Sequence, residues 1–473
     1  MPLNILVIGA GVCGPAFVAL LRRADPELKA YEITVIERAA KLREGGLQID
    51  LRAQGISVVR KMGLLDAIRS RVVPEKGVTF VDTRGRTFAS FGKNDSGHGA
   101  QGMTSEYEIM RGDLVDVFYR SSLGLSLDDT TRNGEKESQK VDEAQTNKGS
   151  EIPTASRSPS NGNVHYEFGI TVTDLVQPPS GSSGPVTATF SDGRQARYDL
   201  VVGADGQGSR TRRMVLGTAA SDACFRSLDL FATLYLIPRD AASDDGWMHW
   251  HVMGGRRAVF TRAADEAAPT QVYMAVQTSR AENAHGVPAA MRQSVAEQKA
   301  AFTRAFAGQQ QQKQQNSSNR VDSLAKALET ISEDDFYATE IGQVRCDTLV
   351  VGRVVLLGDA GYCPSPITGM GTTLSLTGAY ILAGELARHG AGDVTAALKA
   401  YERGVRPFVT QAQKLVPGAP RMLYPESNWG VWVLSTIIWL VAKLRLLDLL
   451  VRLMPQDTGG LSIPEYPELN LGS

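Results

Sequence analysis

The sequence predicts an α/β fold, in which a parallel sheet with crossover helices is interrupted by a mainly antiparallel sheet. Residues 4–9 (NILVIG) and 33–37 (ITVIE) are short apolar runs on either side of a segment of helical composition, which is typical of a strand–helix–strand unit. A similar apolar run returns at 350–359. The chain between these regions holds several short β-rich segments, which indicate antiparallel strands.

The inserted sheet is predicted from six short segments that are rich in β-branched and aromatic residues. They are residues 165–174, 185–190, 228–237, 247–252, 258–262 and 271–277. Residues 371–389 and 394–416, which follow the last apolar run, have helical composition. The element order therefore predicts one parallel sheet that the chain leaves and later rejoins.

The composition is that of an ordinary globular chain. The 473 residues are 42% hydrophobic and 21% charged, with a formal net charge of −1. We expect no nucleic-acid partner, because such proteins usually carry a basic excess or patch. The four cysteines form no CxxC pair and the six histidines show no ligand spacing, so we expect no metal site and a reducing, cytoplasmic environment. No basic segment precedes the first apolar run, so no signal peptide is expected.

Two polar insertions and an apolar tail stand out from the rest of the chain. Residues 126–163 and 308–320 lack the apolar content that a packed core needs, so both are predicted to be disordered. Residues 429–442 carry no charge and hold three of the five tryptophans. Because a bilayer span needs about 20 apolar residues, a docked C-terminal helix is favoured. A peripheral membrane contact through 429–454 and a true span are the alternatives.

A glycine motif directly follows the first apolar run. Gly9, Gly11 and Gly14 fit the pattern GxGxxG, whose glycines permit a tight turn, close approach to a pyrophosphate and close packing of helix on strand. Glu37 ends the second run, where its carboxylate can accept hydrogen bonds from ribose hydroxyls, and Arg38 follows it. This context predicts a Rossmann-like dinucleotide site rather than a structural glycine turn. It does not choose between FAD and NAD(P).

Two further strand ends favour FAD. One apolar segment runs into Asp205 and Gly206, and another runs into Gly358 and Asp359. A carboxylate at a strand end can accept hydrogen bonds from a sugar-like chain such as the ribityl of FAD. The Pro- and Gly-rich turn that follows offers backbone N–H groups to the pyrimidine edge of an isoalloxazine, where they stabilise negative charge. The expected contacts in this turn are Pro366, Gly369, Met370 and Gly371.

The ordered set of GxGxxG, DG and GD motifs resembles the class A flavoprotein monooxygenases, over roughly residues 4–410. In its local motifs the chain is most similar to the tetracycline-inactivating branch and its fungal relatives. Gly46 and Asp50 lie in a segment that resembles the family's GG-x-hydrophobic-D-L motif beside the flavin. Arg111 lies in a segment that resembles the R-x-D-L motif, whose arginine reaches FAD. The alternatives are a hairpin turn for the first segment and a helix N-cap for the second.

One residue departs from that family pattern. The family often has GDAAH where this chain has GDAGY, so Tyr362 replaces the histidine. Pro366 matches the proline that the family places beside the flavin, whereas Pro364 could simply stiffen the loop. The resemblance still implies FAD binding, but it leaves the detail on that side of the site open.

The resemblance implies a para-hydroxybenzoate hydroxylase-like fold and a monooxygenase reaction. NADPH or NADH is the implied transient reductant, and oxygen from O₂ is then delivered through a flavin C4a-(hydro)peroxide. The implied outcome is hydroxylation, epoxidation or Baeyer–Villiger oxidation of a small organic substrate. The long polar insertions and the family resemblance suggest fungal secondary metabolism. Two alternatives stay open: an FAD-linked reductase or dehydrogenase without oxygen transfer, and a non-catalytic flavin-binding protein associated with a membrane.

The same resemblance implies a discontinuous arrangement of two domains. The FAD-binding domain is expected in residues 1–80, 102–125, 195–218 and 340–410. The substrate domain is expected in residues 81–101, 164–194 and 219–339, with a C-terminal helical region at 411–473. The oligomeric state is not predicted.

No catalytic acid or base is identified by spacing. His249, His251, Arg262 and Tyr273 are candidates because they lie on predicted strands of the inserted sheet. Each is also explained as an ordinary strand residue, and the two histidines, two positions apart, are expected on one face of their strand.

Overall fold

The structure is a computed structural model of the chain. It describes residues 2–43, 46, 48–82, 84–93, 106–127, 162–179, 184–239, 245–263, 268–306, 320–333, 335–416, 418, 420–444 and 460–471. The two insertions that the sequence predicts to be disordered lie almost wholly outside these ranges, as do residues 445–459 of the tail.

The described residues form strands and helices that alternate along the chain. The strands are β1 (Leu3–Ile8), β2 (Tyr31–Glu37), β3 (Gln48–Leu51), β4 (Gly77–Val81), β5 (Thr87–Gly92), β6 (Tyr107–Met110), β7 (Val164–Phe168), β8 (Val172–Val176), β9 (Val186–Phe190), β10 (Gln195–Tyr198), β11 (Leu200–Gly203), β12 (Phe225–Ile237), β13 (Trp247–Val252), β14 (Arg257–Ala263), β15 (Thr270–Gln277), β16 (Phe336–Val344), β17 (Val350–Val351) and β18 (Val354–Leu356). The α-helices are α1 (Cys13–Ala24), α2 (Ala53–Lys61), α3 (Leu65–Arg69), α4 (Arg111–Leu123), α5 (Arg210–Leu216), α6 (Thr218–Ala223), α7 (Val287–Ala290), α8 (Val295–Phe306), α9 (Arg320–Ala327), α10 (Asp359–Tyr362), α11 (Gly371–His389), α12 (Val394–Ala412) and α13 (Asn428–Lys443).

A six-stranded sheet of order β17-β18-β11-β1-β2-β7 forms the centre of the fold, and β1, β2, β7, β11 and β18 run parallel. The continuous apolar run of β1 is explained by burial on both faces. Ile5 and Val7 pack in the core with α1, α4 and α11, whereas Leu6 and Ile8 pack in a second core with β8, β9 and β10. Parallel strands buried on both sides need apolar residues at every position, as the sequence indicated.

A seven-stranded sheet of order β16-β12-β15-β14-β13-β4-β5 is the second large element. Its pairings are antiparallel except for that of β13 with β4, so the prediction of an inserted, mainly antiparallel sheet is confirmed. Helices α7, α8 and α9 cover one face of this sheet and bury an apolar core against it, which includes Phe231, Met274 and Phe302. The other face is turned toward the two-stranded sheet of β3 and β6 and toward α13.

The segment 164–194 lies elsewhere than the sequence predicted. It was assigned to the inserted sheet, but β7 pairs parallel with β2 at the edge of the central sheet. Strands β8, β9 and β10 form a separate three-stranded sheet, in which Val172 and Val186 pack against Leu6 of β1. The assignment of this segment to the inserted sheet is wrong, because β7 extends the parallel sheet and the apolar side chains of β8 and β9 cover its second face. The inserted sheet also begins earlier than predicted, since β4 starts at Gly77.

The C-terminal helix α13 docks on the seven-stranded sheet. Val431, Leu434 and Ile438 pack against the apolar residues of β4, β5 and β13, including Phe80 and Trp250. None of the helices that the structure describes has both the length and the apolar character needed to cross a membrane. The predicted docked helix is therefore observed for residues 428–443.

Candidate active site

Three strand ends converge at the carboxyl edge of the central sheet. β1, β11 and β18 are neighbours in the sheet and run parallel. Beyond the strands, the backbone N–H of Ala204 donates to the carbonyl of Ile8 at 2.9 Å, and that of Leu357 donates to the carbonyl of Gly203 at 2.9 Å. The glycine motif and the two strand-end aspartates therefore flank one crevice, and ligands of open α/β sheets bind in such crevices.

The glycine turn after β1 is closed to side chains at two positions. Gly9 has a φ of +112°, and a Cβ there would lie 2.5 Å from the carbonyl oxygen of Ala204. A Cβ on Gly14 would lie 2.1 Å from the carbonyl oxygen of Gly9. By contrast, a Cβ on Gly11 would meet only the Arg111 guanidinium, at 3.3 Å. The first and third glycines thus serve the packing of the turn, and the second faces the crevice.

The N-terminus of α1 opens toward the crevice. Its N-cap residue Val12 makes no side-chain cap, and no acidic residue lies in its first turn. The Glu37 carboxylate holds the turn beside it, accepting from the backbone N–H of Ala10 at 3.1 Å and of Ala39 at 3.0 Å. Arg38 is exposed next to Glu37. A helix start without a cap presents free N–H groups and a positive dipole end, which together favour an anion.

Arg111 starts α4 and lies across the open side of the glycine turn. Its side chain also packs on Gly46, where a Cβ would come within 3.3 Å of Arg111 Cβ and Cδ. Within the described part of the chain the Arg111 guanidinium makes no hydrogen bond or salt bridge. Burial lowers the pKa of Arg111, and the nearby positive charge of Arg43 lowers it further, so its charge lacks full compensation.

Asp359 lies at the end of β18, at the start of the short helix α10. Burial raises the pKa of Asp359, while a hydrogen bond from the Cys363 thiol and the positive charge of Arg111 lower it. Gly358 before it has a φ of +65°, and a Cβ there would lie 3.0 Å from the Cys13 sulfur. The carboxylate is therefore presented beside the start of α1, in reach of the same crevice.

Asp205 is engaged in local hydrogen bonds. Its carboxylate accepts from the Ser209 hydroxyl at 2.6 Å and from the backbone N–H of Thr211 at 2.9 Å, at the start of α5. Gly206 follows with a φ of +80° and space around it. The buried Arg212 ties this loop to the other aspartate motif, because its guanidinium donates to the carbonyl of Ala360 at 2.7 Å.

The turn before α11 is rigid at one end and open at the other. Pro364 is buried and its carbonyl accepts from the Gln343 amide at 2.9 Å, whereas Pro366 is exposed. Met370 is the N-cap of α11 and provides no side-chain cap, and a Cβ on Gly371 would meet nothing within 4 Å. This second uncapped helix start faces open space.

Asp50 and Arg52 border that turn from the other side. The Arg52 guanidinium donates to Asp50 at 2.9 Å, and a Cβ on Gly369 would lie 3.7 Å from Arg52 Nε and 4.0 Å from Asp50 Oδ2. Thr373 of α11 fixes this contact, since its hydroxyl donates to the carbonyl of Arg52 at 2.8 Å. Asp50 and Gly369 are therefore brought to one place.

Tyr362 points away from the crevice. Its hydroxyl is buried 3.0 Å from that of Tyr401, which in turn donates to the carbonyl of Leu356. A Cβ on Gly378 of α11 would lie 1.9 Å from the Tyr362 hydroxyl, so the ring occupies a space that this glycine leaves. The tyrosine that stands where the family often has histidine is thus a packing residue of the core.

His249 and His251 face away from the crevice. The register pairs His251 of β13 with Val259, which belongs to the core under α7, α8 and α9. Burial lowers the pKa of His251 to about 4, so it is neutral at physiological pH. His249 is hydrogen-bonded to Asp245 at 3.0 Å. The two histidines share one face as predicted, but it is the helix-covered face.

Arg262 and Tyr273 lie on the opposite face, which is turned toward β3. The Arg262 guanidinium donates to the carbonyl of Gln48 at 3.1 Å and to the Tyr273 hydroxyl at 3.2 Å. The Tyr273 hydroxyl donates to Gln271 at 2.8 Å. Arg262 therefore joins the seven-stranded sheet to β3, and Tyr273 holds Arg262 in place.

Sequence reasoning missed three residues that organise this region: Arg52, Arg212 and Gln343. Arg52 follows Asp50 by two positions, the spacing that puts side chains of extended backbone on one side, so this signal was available in the sequence. Arg212 contacts Ala360, which lies 148 positions further along the chain, and Gln343 contacts Pro364, which lies 21 positions further along. No spacing rule finds such contacts.

The crevice fits FAD by its donors and acceptors. Its features are two uncapped helix starts, at Val12 and Met370, the Arg111 guanidinium, which has no hydrogen-bond partner among the described residues, and the recessed carboxylate of Asp359. A diphosphate and a reduced isoalloxazine carry the negative charge that the first three features favour, and a ribityl chain carries hydroxyls that the carboxylate can accept from.

Comparison with known proteins defines the class. A family model described as an FAD binding domain matches residues 3–416. The FAD-dependent monooxygenase asL6 of Sarocladium schorii is 36% identical over 473 residues and covers 99% of both chains. The flavin-dependent monooxygenase eupH of a Phoma species is 34% identical and covers 98% of both chains. The chain belongs to the family of FAD-dependent monooxygenases, and it is an enzyme of that class.

Solved structures show the same fold. The tetracycline destructase Tet(51) matches with a TM-score of 0.68 at 24% identity, over 98% of this chain and 100% of that chain. HpxO of Klebsiella pneumoniae, complexed with FAD and uric acid, matches with a TM-score of 0.63 at 20% identity, over 97% of this chain and 96% of that chain. These matches confirm the predicted para-hydroxybenzoate hydroxylase-like fold class.

Proposed function

We propose that the crevice at the carboxyl edge of the central sheet holds FAD in an extended form. The adenosine ribose lies at Glu37 and Arg38, and the diphosphate lies at Gly9, Gly11 and Gly14, beneath Arg111. The ribityl chain runs past Asp205, Gly206, Gly358 and Asp359. The isoalloxazine lies between Gly46 and Asp50 on one side and Pro366, Gly369, Met370 and Gly371 on the other. The position of the Arg111 guanidinium beside Gly11, with no hydrogen-bond partner in the described part of the chain, carries this proposal.

The proposed domain division follows the two large sheets. We infer an FAD-binding domain around the central sheet and a substrate domain around the seven-stranded sheet. The predicted range 219–339 holds strands of the seven-stranded sheet, but the boundary at 340 divides β16, so we move that boundary past Val344. Residues 164–194 are moved to the FAD-binding domain, since β7 pairs with β2.

The reaction we propose is oxygenation of a small organic molecule at the expense of NADPH or NADH and O₂. Bound FAD supplies the redox and oxygen-activating chemistry. The chain itself binds and orients the reactants, excludes water, and stabilises negative charge with the uncapped start of α11. We place the substrate among secondary metabolites, because this chain shares 34–36% identity with fungal monooxygenases along its whole length.

The substrate is proposed to lie on the apolar middle of the seven-stranded sheet, next to the turn at Ile367. An apolar cluster joins that turn to strands β12, β14, β15 and β16. Its partly buried members are Leu228, Ala232, Phe260 and Ile367. Arg262 and Tyr273, on the same face of the sheet, bound this cluster with polar groups. Such a surface fits a largely apolar substrate with few polar groups.

The proposed reaction is tested by measuring oxygen uptake and the incorporation of labelled oxygen into the product. The purified enzyme with FAD and NADPH or NADH is screened against aromatic, indole and polyketide compounds. We expect substrate-dependent oxygen uptake, with one ¹⁸O atom from labelled O₂ in the product. Turnover of the reductant with a reduced product and no added oxygen would favour the alternative of a reductase or dehydrogenase.

Phe260→Ala is expected to weaken substrate use without affecting FAD. Loss of an aromatic contact surface costs about 1.5–3 kcal/mol, which lowers kcat/KM roughly 10- to 150-fold. The measurement compares kcat/KM and FAD affinity, with Val176→Ala as the control, because Val176 is exposed on the distant strand β8. An unchanged kcat/KM for Phe260→Ala would place the substrate elsewhere.

The exposed side of α13 is proposed to touch a membrane surface, with the rest of the enzyme in the cytoplasm. Trp429, Trp432 and Trp439 are 73%, 64% and 43% exposed, and Lys443 Nζ lies 4.5 Å from the Trp439 ring centre. Tryptophan beside lysine is favoured at the interface between headgroups and acyl chains.

Trp432→Glu tests this contact. We expect wild type to sediment with vesicles of phosphatidylcholine and phosphatidylserine, and we expect Trp432→Glu to reduce the bound fraction severalfold. Val176→Glu, which places a charge at an exposed apolar residue of β8, is the matched control. Equal sedimentation of wild type and Trp432→Glu would exclude α13 as a membrane contact.

A further inference from the structure

A buried cluster of charges lies between the sheet of β3 and β6 and the seven-stranded sheet. Its members, here called the acid cluster, are Asp50, Arg52, Glu75, Glu108 and Arg262. Arg52 pairs with Asp50 at 2.9 Å, and Arg262 Nη1 lies 3.6 Å from an oxygen of Glu75 and of Glu108. The family assignment and the proposed cofactor contacts use only Asp50 of these five residues.

The charges of the acid cluster balance only if it holds a proton. Three carboxyl groups face two guanidinium groups, and the side chains of Glu75 and Glu108 are only 3% and 7% exposed. Among the described residues the other groups against them are uncharged: the Gln48 amide donates to both glutamates, and Tyr273 lies beside Arg262. Burial of a carboxylate without a partner is strongly unfavourable, so one carboxyl is neutral.

The contact between Asp50 and Glu108 locates that proton. The two residues stand directly opposite each other in β3 and β6. Directly opposite residues of an antiparallel pair have Cβ atoms about 4.5–5.5 Å apart, so the two carboxyl groups lie within reach of each other. Because a carboxylate has no donor, the two groups can share a hydrogen bond only when one of them carries a proton. Consistently, the pKa of Glu108 is raised to about 10, because the effect of burial exceeds the lowering by the positive charge of Arg262.

The same pair reaches the proposed cofactor site through Asp50. Asp50 Oδ2 lies 4.0 Å from the point that a Cβ on Gly369 would occupy, in the turn that precedes α11. Glu108 lies behind Asp50 and is buried, so it has no direct access to the crevice. A proton on Glu108 therefore lies next to a carboxylate that borders the site.

We propose that Glu108 and Asp50 form a proton-sharing pair that stores one proton beside the site and delivers it through Asp50 during oxygenation. This rests on the proposed function. Oxygenation by O₂ and NAD(P)H consumes one proton: the O–O bond breaks, one oxygen bonds to the substrate, and the other leaves as water with that proton. The reductant supplies the two electrons, and solvent reloads the pair between turnovers.

Glu108→Gln and Asp50→Asn test the pair in the FAD-loaded enzyme by infrared spectroscopy. Wild type should show the carbonyl band of a protonated carboxyl group at pH 7, and both variants should lose it. Glu385→Gln, a buried glutamate bonded to Tyr466 elsewhere in the fold, is the matched control and should keep the band. Absence of the band in wild type, or its persistence in both variants, overturns the proposal.

Stability against pH gives a second readout that needs no turnover. Unfolded Glu108 loses its proton near its ordinary pKa of about 4.3, whereas the folded protein keeps it up to a pKa of about 10. The unfolded state therefore binds fewer protons in this window, so folding stability falls as pH rises. Glu108→Gln should show a shallower fall from pH 5 to pH 9 than wild type. An equal slope would mean that Glu108 is ionised in the folded protein.

The kinetic readout separates proton delivery from a structural role. Loss of a general acid costs about 100-fold or more, so product formation by Glu108→Gln should fall by that factor with FAD affinity within about twofold of wild type. Parallel loss of FAD affinity and product formation would make Glu108 a structural residue and overturn the proposal. A protein that never binds FAD overturns the proposed function instead, and this outcome is recognised in wild type before any variant is made.

Discussion

Arg111→Ala is expected to lower FAD affinity by about 30- to 150-fold. The guanidinium lies over Gly11 at the uncapped start of α1, it is largely buried, and it makes no hydrogen bond within the described residues. A charged hydrogen bond to the diphosphate contributes about 2–3 kcal/mol, which corresponds to that change in Kd. The dissociation constant is measured by titrating FAD into apoprotein and following the quenching of flavin fluorescence.

Two further variants test whether the loss of FAD affinity comes from the guanidinium of Arg111. Arg111→Lys keeps the charge but not the planar fork of donors, so it should recover only part of the affinity. Arg60→Ala removes an exposed arginine at the end of α2 and should bind FAD as wild type does. If Arg111→Ala retains full flavin occupancy after gel filtration, the diphosphate does not lie beneath Arg111.

Gly14→Ala is expected to destabilise the fold by about 3 kcal/mol or more and to abolish FAD binding. The added Cβ would lie 2.1 Å from the carbonyl oxygen of Gly9 and 3.2 Å from Val7. Neither the strand nor the helix can move away without opening the core around α1, and overpacking of this kind costs about 1–3 kcal/mol or more. Thermal and urea unfolding of the apoprotein measure the loss of stability.

Gly371→Ala separates folding from cofactor binding. A Cβ at this position meets no atom of the described residues within 4 Å, so the apoprotein should unfold as wild type does. The methyl group would project at the open start of α11, where we place the pyrimidine edge of the isoalloxazine. We expect weaker FAD binding at unchanged stability. Wild-type affinity in this variant would move the isoalloxazine away from α11.

The central sheet was predictable because its signals are local. The run at 4–9, the glycines that follow it and Glu37 all report on one strand–helix–strand unit, and the structure forms it as β1, α1 and β2. Glycines at a turn and apolar residues at every strand position reflect constraints between near neighbours. Such constraints are visible in a single sequence.

Pairing between distant strands was not predictable in the same way. Residues 165–174 carry the composition of a strand, but nothing in them tells whether their partner is β2 or the inserted sheet. The structure pairs β7 with β2, and Val172 and Val186 of the following strands cover the second face of β1 and β11. Strand composition reports burial rather than the identity of the partner.

The catalytic candidates show the same limit. His249 and Arg262 are both polar residues on strands of one sheet, and only the register places them on opposite faces. Glu108 was overlooked, although a glutamate between Tyr107 and Ile109 in an otherwise apolar strand is itself a signal. A charged residue at such a position is either exposed at an edge or paired in the interior.

Titration of FAD into the purified chain tests the central claim most directly. If the strand ends at residues 9, 205 and 359 hold one flavin nucleotide, the protein should bind one FAD per chain and acquire the absorbance of a bound flavin. The Arg111→Ala chain should bind it more weakly in the same titration. A colourless protein that takes up no added FAD would contradict the account.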